Sequence, residues 1–277
     1  MVSLTNFIEN KPDAEFPAEK GRYQLYVALS CPYANRTLIA IKLKGLEEFI
    51  DVTVVNPVMT RTRPGDENDS HVGWAFADPR ITPFVTGPTG QQYSLEDCSP
   101  DPVHNAKHIR DLYERVTKDS NVRYSVPLLW DKKRILSSRK SQLTSGILKV
   151  GFAPDQETRQ AEIKSLYERL DRVEELLGKQ RYTVGNAFTE VDIRLFVALI
   201  RFDSFFLPMF KLPKRVEEYA YLSEHLRDIY QLPRVKETVN FEHLQMNAIG
   251  SRMTPLKVVL SGPTVDFSAP HNRTHFH

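Results

Sequence analysis

Gln24-Leu25-Tyr26-Val27-Ala28-Leu29-Ser30-Cys31-Pro32-Tyr33-Ala34-Asn35-Arg36 is the stretch that decides the fold. Residues 23–29 read as a buried strand, and a helix opens at Pro32 and runs over 34–44 to a stop at Gly45. Pro32 suits the first helical turn, where its missing N–H leaves no bond unmade. Cys31 then stands at the mouth of the helix, facing unpaired backbone N–H groups and the positive end of the dipole. Such placement favours the thiolate and pulls a thiol below its free pKa of about 8.5. Ala34 takes the fourth position of Cys-Pro-x-Ala, so no disulfide can close within the motif. The chemistry implied is that of a single thiol. The same four residues also suit a buried cysteine filling space beside a strand, and the rest of the chain decides between the two.

The chain has 277 residues, enough for one large domain or two compact ones. Hydrophobic residues at 41% and charged residues at 26% describe an ordinary globular protein. A net charge of +2 argues against a dedicated nucleic-acid or membrane surface. No apolar run approaches the ~20 residues of a membrane helix, and residues 1–6 carry no secretory pattern. Cys31 and Cys98 make no disulfide framework, which fits a reducing cytoplasm. Cys98 lies in the acidic turn Glu96-Asp97-Cys98-Ser99-Pro100, where negative charge raises a thiol pKa; its expected role is structural. No Cys/His cluster has zinc-ligand spacing, so no metal is expected. The tail Pro270–His277 is expected to fray.

Strand and helix signals alternate through the first half. Residues 50–56 read as a strand, 60–72 and 81–93 as loops, 104–117 as a helix, and 124–131 as a strand entered through Pro127. The residue before a proline is pushed to extended geometry, and a cis bond there makes a sharp turn. The order β-α-β, then Val-Pro and another strand, is consistent with a thioredoxin-like layer. The second half reads as helices. Residues 156–178 carry Ile163, Leu166, Leu170, Val173, Leu176 and Leu177 at helical spacing. Thr189 and Asp192 resemble a capping box opening the apolar helix from Ile193 to Ile200. Further helices are expected over about 216–230 and from Pro233. A boundary near 145 separates an α/β domain, 1–145, from an all-α domain, 146–277.

This order resembles the cytosolic glutathione transferases, and in particular their Xi class, the glutathionyl-hydroquinone reductases. The similar segments are Leu25–Arg36, Gly73-Trp74-Ala75-Phe76, Ser125–Asp131, Asp192–Asp203 and Thr238–Leu244. The resemblance implies a homodimer of chains with a thioredoxin-like, glutathione-binding domain and a C-terminal helical bundle that shapes the substrate pocket. It also implies Cys31 as the active-site thiol, Trp74 at the border of the glutathione site and Arg110 as a glutathione-binding arginine. Val126, before a cis-Pro127, is implied to pair its backbone with the cysteinyl part of glutathione. The substrate pocket is implied around Tyr33, Arg159, Ala248, Ile249 and Arg252.

Three departures stand beside these matches. Where the family reads Glu-Ser to grip the γ-glutamyl end, this chain has Arg139-Lys140, followed by Ser141. Those side chains can still hold a carboxylate, but the α-ammonium of glutathione loses its acceptor. The family's tyrosine after Gly-Phe-Ala-x-x-Gln-x-x is Arg159 here. A C-terminal tyrosine pair is Ala248-Ile249, and the histidine beyond it is Arg252. Those tyrosines are expected to hydrogen-bond a quinone oxygen and donate a proton. Alanine and isoleucine cannot, and arginine is a poor proton donor at neutral pH.

The expectation is therefore a diverged, glutathione-dependent enzyme acting on a bulky, apolar electrophile by thiolate addition. The outcome is either conjugation or addition, rotation and elimination, a cis/trans isomerisation of the kind that tailors polyene or enone natural products. The parent hydroquinone reduction through Cys31 is the alternative, and a non-catalytic glutathione transferase-like binding protein is a third.

Of the two thiols, only Cys31 faces a helix N-terminus. Iodoacetamide across a pH series should alkylate Cys31 first, with an apparent pKa below the free-thiol value. Faster labelling of Cys98, or a Cys31 pKa at or above that value, contradicts the assignment.

Overall fold

The computed structural model describes residues 8–11, 13–86, 90–117, 122–133, 144–250 and 265–276. The chain divides into two compact units, residues 1–140 with 242–256, and residues 141–241 with 257–277.

In the first unit, β1 (Tyr23–Val27) is central and buried along its whole length. It runs parallel to β2 (Ile50–Val54) and antiparallel to β7 (Leu128–Asp131), giving the order β2-β1-β7. A central strand covered on both faces reads as a continuous apolar run, which is what residues 25–29 show. The crossover between β1 and β2 is α1 (Pro32–Lys44), ended by Gly45 in the left-handed conformation at φ 61°. At one end of the ladder Arg22 grips Asp131 with Nε at 2.9 Å and Nη2 at 2.5 Å, both side chains buried. Removing either partner would take the nearest counter-charge from a buried group, which disfavours any other β1–β7 register.

Several expected boundaries move for local reasons. Residues 60–72, expected as a loop, form a hairpin whose ends pair as β3 (Thr60–Arg61) and β4 (Val72–Gly73). Residues 81–93, also expected as a loop, contain β5 (Phe84–Thr86) and β6 (Gln92–Ser94), paired so that Val85 and buried Tyr93 face each other. Helix α2 spans Ile109–Val116, not 104–117, because Asp101 takes the N–H groups of Val103, His104 and Ala106 and holds that segment as a turn. Asp111 then caps the helix by accepting the N–H groups of Lys107 and His108. Strand β7 starts only after the cis Val126–Pro127 bond.

The second unit is helical: α3 (Thr144–Gly151), α4 (Gln156–Leu177), α5 (Glu190–Leu199), α6 (Leu207–Phe210) and α7 (Ala220–Tyr230). A single π-helical turn, Phe202–Phe206, joins α5 to α6. The expected helix over 216–230 is broken at Tyr219, whose extended backbone separates a short 3₁₀ turn, Val216–Glu218, from α7. After Pro233 only the 3₁₀ turn Lys236–Thr238 forms. The capping box forms as expected, with fully buried Asp192 accepting the Thr189 N–H at 2.8 Å and the Thr183 N–H at 2.7 Å. Helix α8 (Phe241–Gly250) contributes residues from 242 onward to the first unit, so a division at 145 does not place all of the later helices in one domain.

The C-terminal segment departs most from expectation. Residues 265–276 do not fray; they fold back on the second unit. Arg273 is fully buried and donates to the carbonyls of Leu177 at 2.7 Å, Gln180 at 2.5 Å and Arg181 at 2.6 Å. The Leu177 carbonyl ends α4 and those of Gln180 and Arg181 lie in the turn that follows, so this guanidinium ties the helix end and its exit together. Gln231 adds bonds to the carbonyls of Phe267 and Ala269, while Phe267 stacks on Phe241.

Two stability effects are expected here. Arg273→Met keeps the apolar stem but removes all three bonds, and at ~1.5–3 kcal/mol per charge-assisted bond, with additivity incomplete, it should cost at least about 3 kcal/mol in urea unfolding. A loss under about 1 kcal/mol would show that the guanidinium does not anchor the segment. The second effect concerns His225, which is fully buried with Nε2 3.8 Å from Asp192. Burial pushes its pKa down, although the Asp192 carboxylate pulls the other way. The unfolded chain takes up that proton near pH 6.5 and the folded chain does not, so stability is full above that pH and falls below it. Melting temperature should decline from pH 6.5 to 5, and His225→Asn should flatten that slope; an unchanged slope assigns it to other groups.

Candidate active site

Cys31 is the residue immediately before α1, with extended backbone at φ −78° and ψ 119°, and Pro32 opens the helix. Its carbonyl accepts the Asn35 N–H at 3.0 Å, and its own N–H donates to Ala28 at 2.9 Å. No acidic residue occupies the first turn, so nothing there offsets the positive helix end. The side chain is half-buried and packs against cores on both faces of the sheet. Its thiol donates to the carbonyl of Val126 at 3.5 Å.

That contact follows from strand register. Tyr26 pairs with Leu128 at the end of the β1–β7 ladder, so Val126 lies just beyond it, level with the chain that leads to Cys31. The Tyr113 hydroxyl holds this turn by donating to the Ser125 carbonyl at 3.0 Å. Two opposing influences therefore meet at one sulfur. The helix end stabilises the thiolate, and the donated bond to Val126 stabilises the thiol.

Trp74 and Val126 are buried members of the same core cluster, against which Cys31 packs. Trp74 is set by backbone bonds on both sides: its carbonyl accepts the Ile109 N–H of α2, and Ala75 accepts the Asn56 N–H, each at 2.9 Å. Cys31, Trp74, Val126 and Pro127 are thus gathered at one end of the sheet. Tyr33 sits in the first turn of α1, with the Arg36 guanidinium 5.1 Å from its ring.

Arg110 is arranged differently. It lies on α2 with Nε bonded to Glu114 at 2.5 Å, and Nη1 bonded to Thr62 at 3.1 Å and to Asp69. Its guanidinium also stands 5.5 Å from the Tyr124 ring. These partners hold it against the 60–73 hairpin. In the second unit, Arg159 extends from α4 and donates to the Phe210 carbonyl. Ala248 on α8 is buried, and Ile249 packs against Tyr93, Leu95, Cys98 and Met246 of the first unit. Arg139, Lys140, Ser141 and Arg252 lie outside the described residues.

Cys98 is enclosed by that same cluster, and its thiol donates to the Val55 carbonyl at 3.6 Å. Burial, with a smaller contribution from Asp97, pushes its pKa up to about 12. That setting favours the neutral thiol. Sequence reasoning missed Thr62, Asp69, Tyr124 and Glu114, which surround Arg110. Only the Arg110–Glu114 spacing of four residues was a readable signal.

The comparisons with known proteins agree with this geometry. Residues 156–228 match the family described as the glutathione S-transferase C-terminal domain. The glutathionyl-hydroquinone reductase YqjG of Escherichia coli is 36% identical, over 93% of this chain and 84% of its own length. The glutathionyl-hydroquinone reductase PcpF of Sphingobium chlorophenolicum is 31% identical, over 91% and 86%. Among solved structures, the Xi glutathione S-transferase of Phanerochaete chrysosporium superposes with a TM-score of 0.78 at 34% identity, covering 98% of both chains. The glutathione-bound structure of YqjG gives a TM-score of 0.78 at 33% identity, covering 95% of this chain and 92% of that one. With a lone cysteine at the helix mouth, a Val-Pro turn against it and these relatives along its length, the chain belongs to the Xi class of the glutathione transferases.

Proposed function

We propose that this protein is a glutathione-dependent enzyme whose reactive thiol is Cys31. The observation that carries the reading is the position of that thiol, at an α-helix N-terminus and within 3.5 Å of the Val126 carbonyl. The glutathione-bound structure of YqjG supports glutathione as the second thiol. The donor set fits such a ligand: a Val126 backbone lying beyond the sheet ladder, a half-buried thiol, and Trp74 fixed beside them. Val126 would hold the peptide part of glutathione and Trp74 its flank, with Arg139, Lys140 and Ser141 at the γ-glutamyl end. Glutathione would supply a thiol for addition or exchange.

The reaction we favour is thiolate addition to an activated alkene of a bulky, apolar substrate. A carbon–sulfur bond forms as the π bond breaks, and the electron pair moves onto the activating group. Protonation then gives the conjugate, while expulsion of the thiolate after rotation gives the isomer with no net redox change. What supports this reading is that Arg159, Ala248 and Ile249 stand where the family's tyrosines are expected. Ala248 and Ile249 carry no hydroxyl, and the Arg159 guanidinium is bonded to the Phe210 carbonyl.

The names of the relatives favour a second reading. There, Cys31 attacks the sulfur of a glutathionyl-hydroquinone, the carbon–sulfur bond breaks and the ring carbon takes a proton. A second glutathione then resolves the mixed disulfide, leaving as glutathione disulfide. General acid catalysis is worth roughly 10²–10⁴-fold, so a site without its tyrosines should turn over slowly.

The assay is turnover of glutathionyl-menadione beside a panel of conjugated enones and polyenes, each with and without glutathione. The expected result is glutathione-dependent change in an alkene, with feeble menadione release. Brisk menadione release with no alkene changed returns the protein to the reductase reading. Ala248→Tyr should depress activity on the bulkier alkenes; no effect would place the substrate elsewhere.

A further inference from the structure

We infer that Glu114, bridging Arg63 and Arg110, is a positioning residue that fixes Trp74 at the thiol site through the 60–73 hairpin. The inference rests on the proposal that Trp74 borders the glutathione site. It also gives Arg110 a role other than direct contact with the ligand.

The hairpin is tied to α2 by charge at several points. One Glu114 oxygen accepts Arg110 Nε at 2.5 Å, and the other accepts Arg63 Nη2 at 2.7 Å. Arg63 also reaches Asp111 at 2.8 Å, the carboxylate that caps α2. Arg110 continues from Glu114 to Thr62 and Asp69, on the two arms of the hairpin. The Tyr124 hydroxyl adds a longer bond to Glu114, and its ring packs edge-on against His71. The hairpin holds its own shape as well: Arg61 donates to the carbonyls of Asp66 and Asp69, and Thr62 pairs with His71 at 2.9 Å.

This buckle acts directly on the strand that delivers Trp74. Strand β4 ends at Gly73, and Trp74 follows without an intervening residue. At Gly73 an added Cβ would come within 2.9 Å of the His71 ring and 3.3 Å of the Thr62 methyl. The hairpin therefore closes tightly at the point where it hands the chain to Trp74. The Trp74 carbonyl is anchored to the first turn of α2, but the hairpin before it has its charged ties through Arg63 and Arg110. An isolated surface ion pair does little to fix geometry; a carboxylate shared by two arginines, each with a further acidic partner, defines one arrangement.

A double-mutant cycle tests this, with Kd for glutathione measured by calorimetry for wild type, Glu114→Gln, Trp74→Phe and the double variant. Glu114→Gln should weaken binding about ten-fold, and should have little further effect once Trp74 is replaced, as expected of coupled residues. Arg63→Gln, on the hairpin and outside α2, should repeat the effect of Glu114→Gln if the latter fails to fold, and Arg63→Lys should partly restore binding. Additive effects of Glu114→Gln and Trp74→Phe, or unaltered binding in both Glu114→Gln and Arg63→Gln, would overturn the inference while leaving Trp74 at the site. Unaltered binding in Trp74→Phe would overturn both the inference and the placement of Trp74 beside glutathione.

Discussion

The site depends on one register. Tyr26 opposite Leu128 in the antiparallel pair of β1 and β7 brings a carbonyl that has run out of sheet partners to the mouth of the helix that follows β1. Without that alignment Cys31 would face only a helix N-terminus. With it, the thiol also meets an acceptor on a separate strand. The far end of the ladder is held by the buried Arg22–Asp131 pair, so a slip by one residue would strand a charge as well as invert every side chain. The chemistry at one end and the ion pair at the other are consequences of the same pairing.

Polar groups are handled consistently around this frame. Asp101 collects three backbone donors and the Tyr26 hydroxyl, Asp111 collects two donors and Arg63, and Asp192 joins Thr183 to Thr189. Each carboxylate turns a segment that would otherwise expose unpaired N–H groups into a fixed entry to a helix. The buried Arg273 does the reverse job, supplying donors to carbonyls at the end of α4 and in the turn after it. Rigid turns built this way let a loop residue such as Trp74 be held as firmly as a strand residue.

Much of this was legible in the sequence because it is local. The strand before Cys31, Pro32 at the helix start, Gly45 at its end and the Thr189–Asp192 box each signal within a few residues. Val126-Pro127 was readable for the same reason. The rest depends on partners far apart in the chain. Arg110 reads as a ligand-binding arginine in the sequence, while its bonds to Thr62 and Asp69, more than forty residues away, leave no trace there. The hairpin strands β5 and β6 are only three residues each, too short for alternation to stand out among turn residues. The tail offers no pattern at all, since one arginine reaching the end of a helix leaves no periodic trace. Residues 242–250 fall within the expected helical domain, but as part of α8 they belong to the first unit, with Met246 and Ile249 packed against Tyr93, Leu95 and Cys98.

The central claim is that Cys31 is a thiol built to meet glutathione. Its most direct test is intact-mass and peptide-level mass spectrometry after exposure to glutathione disulfide, followed by a chase with reduced glutathione. The account predicts one glutathionyl group per chain, mapped to Cys31 and removed by the chase, with Cys98 unmodified. No adduct, or an adduct on Cys98 while Cys31 stays free, would contradict it.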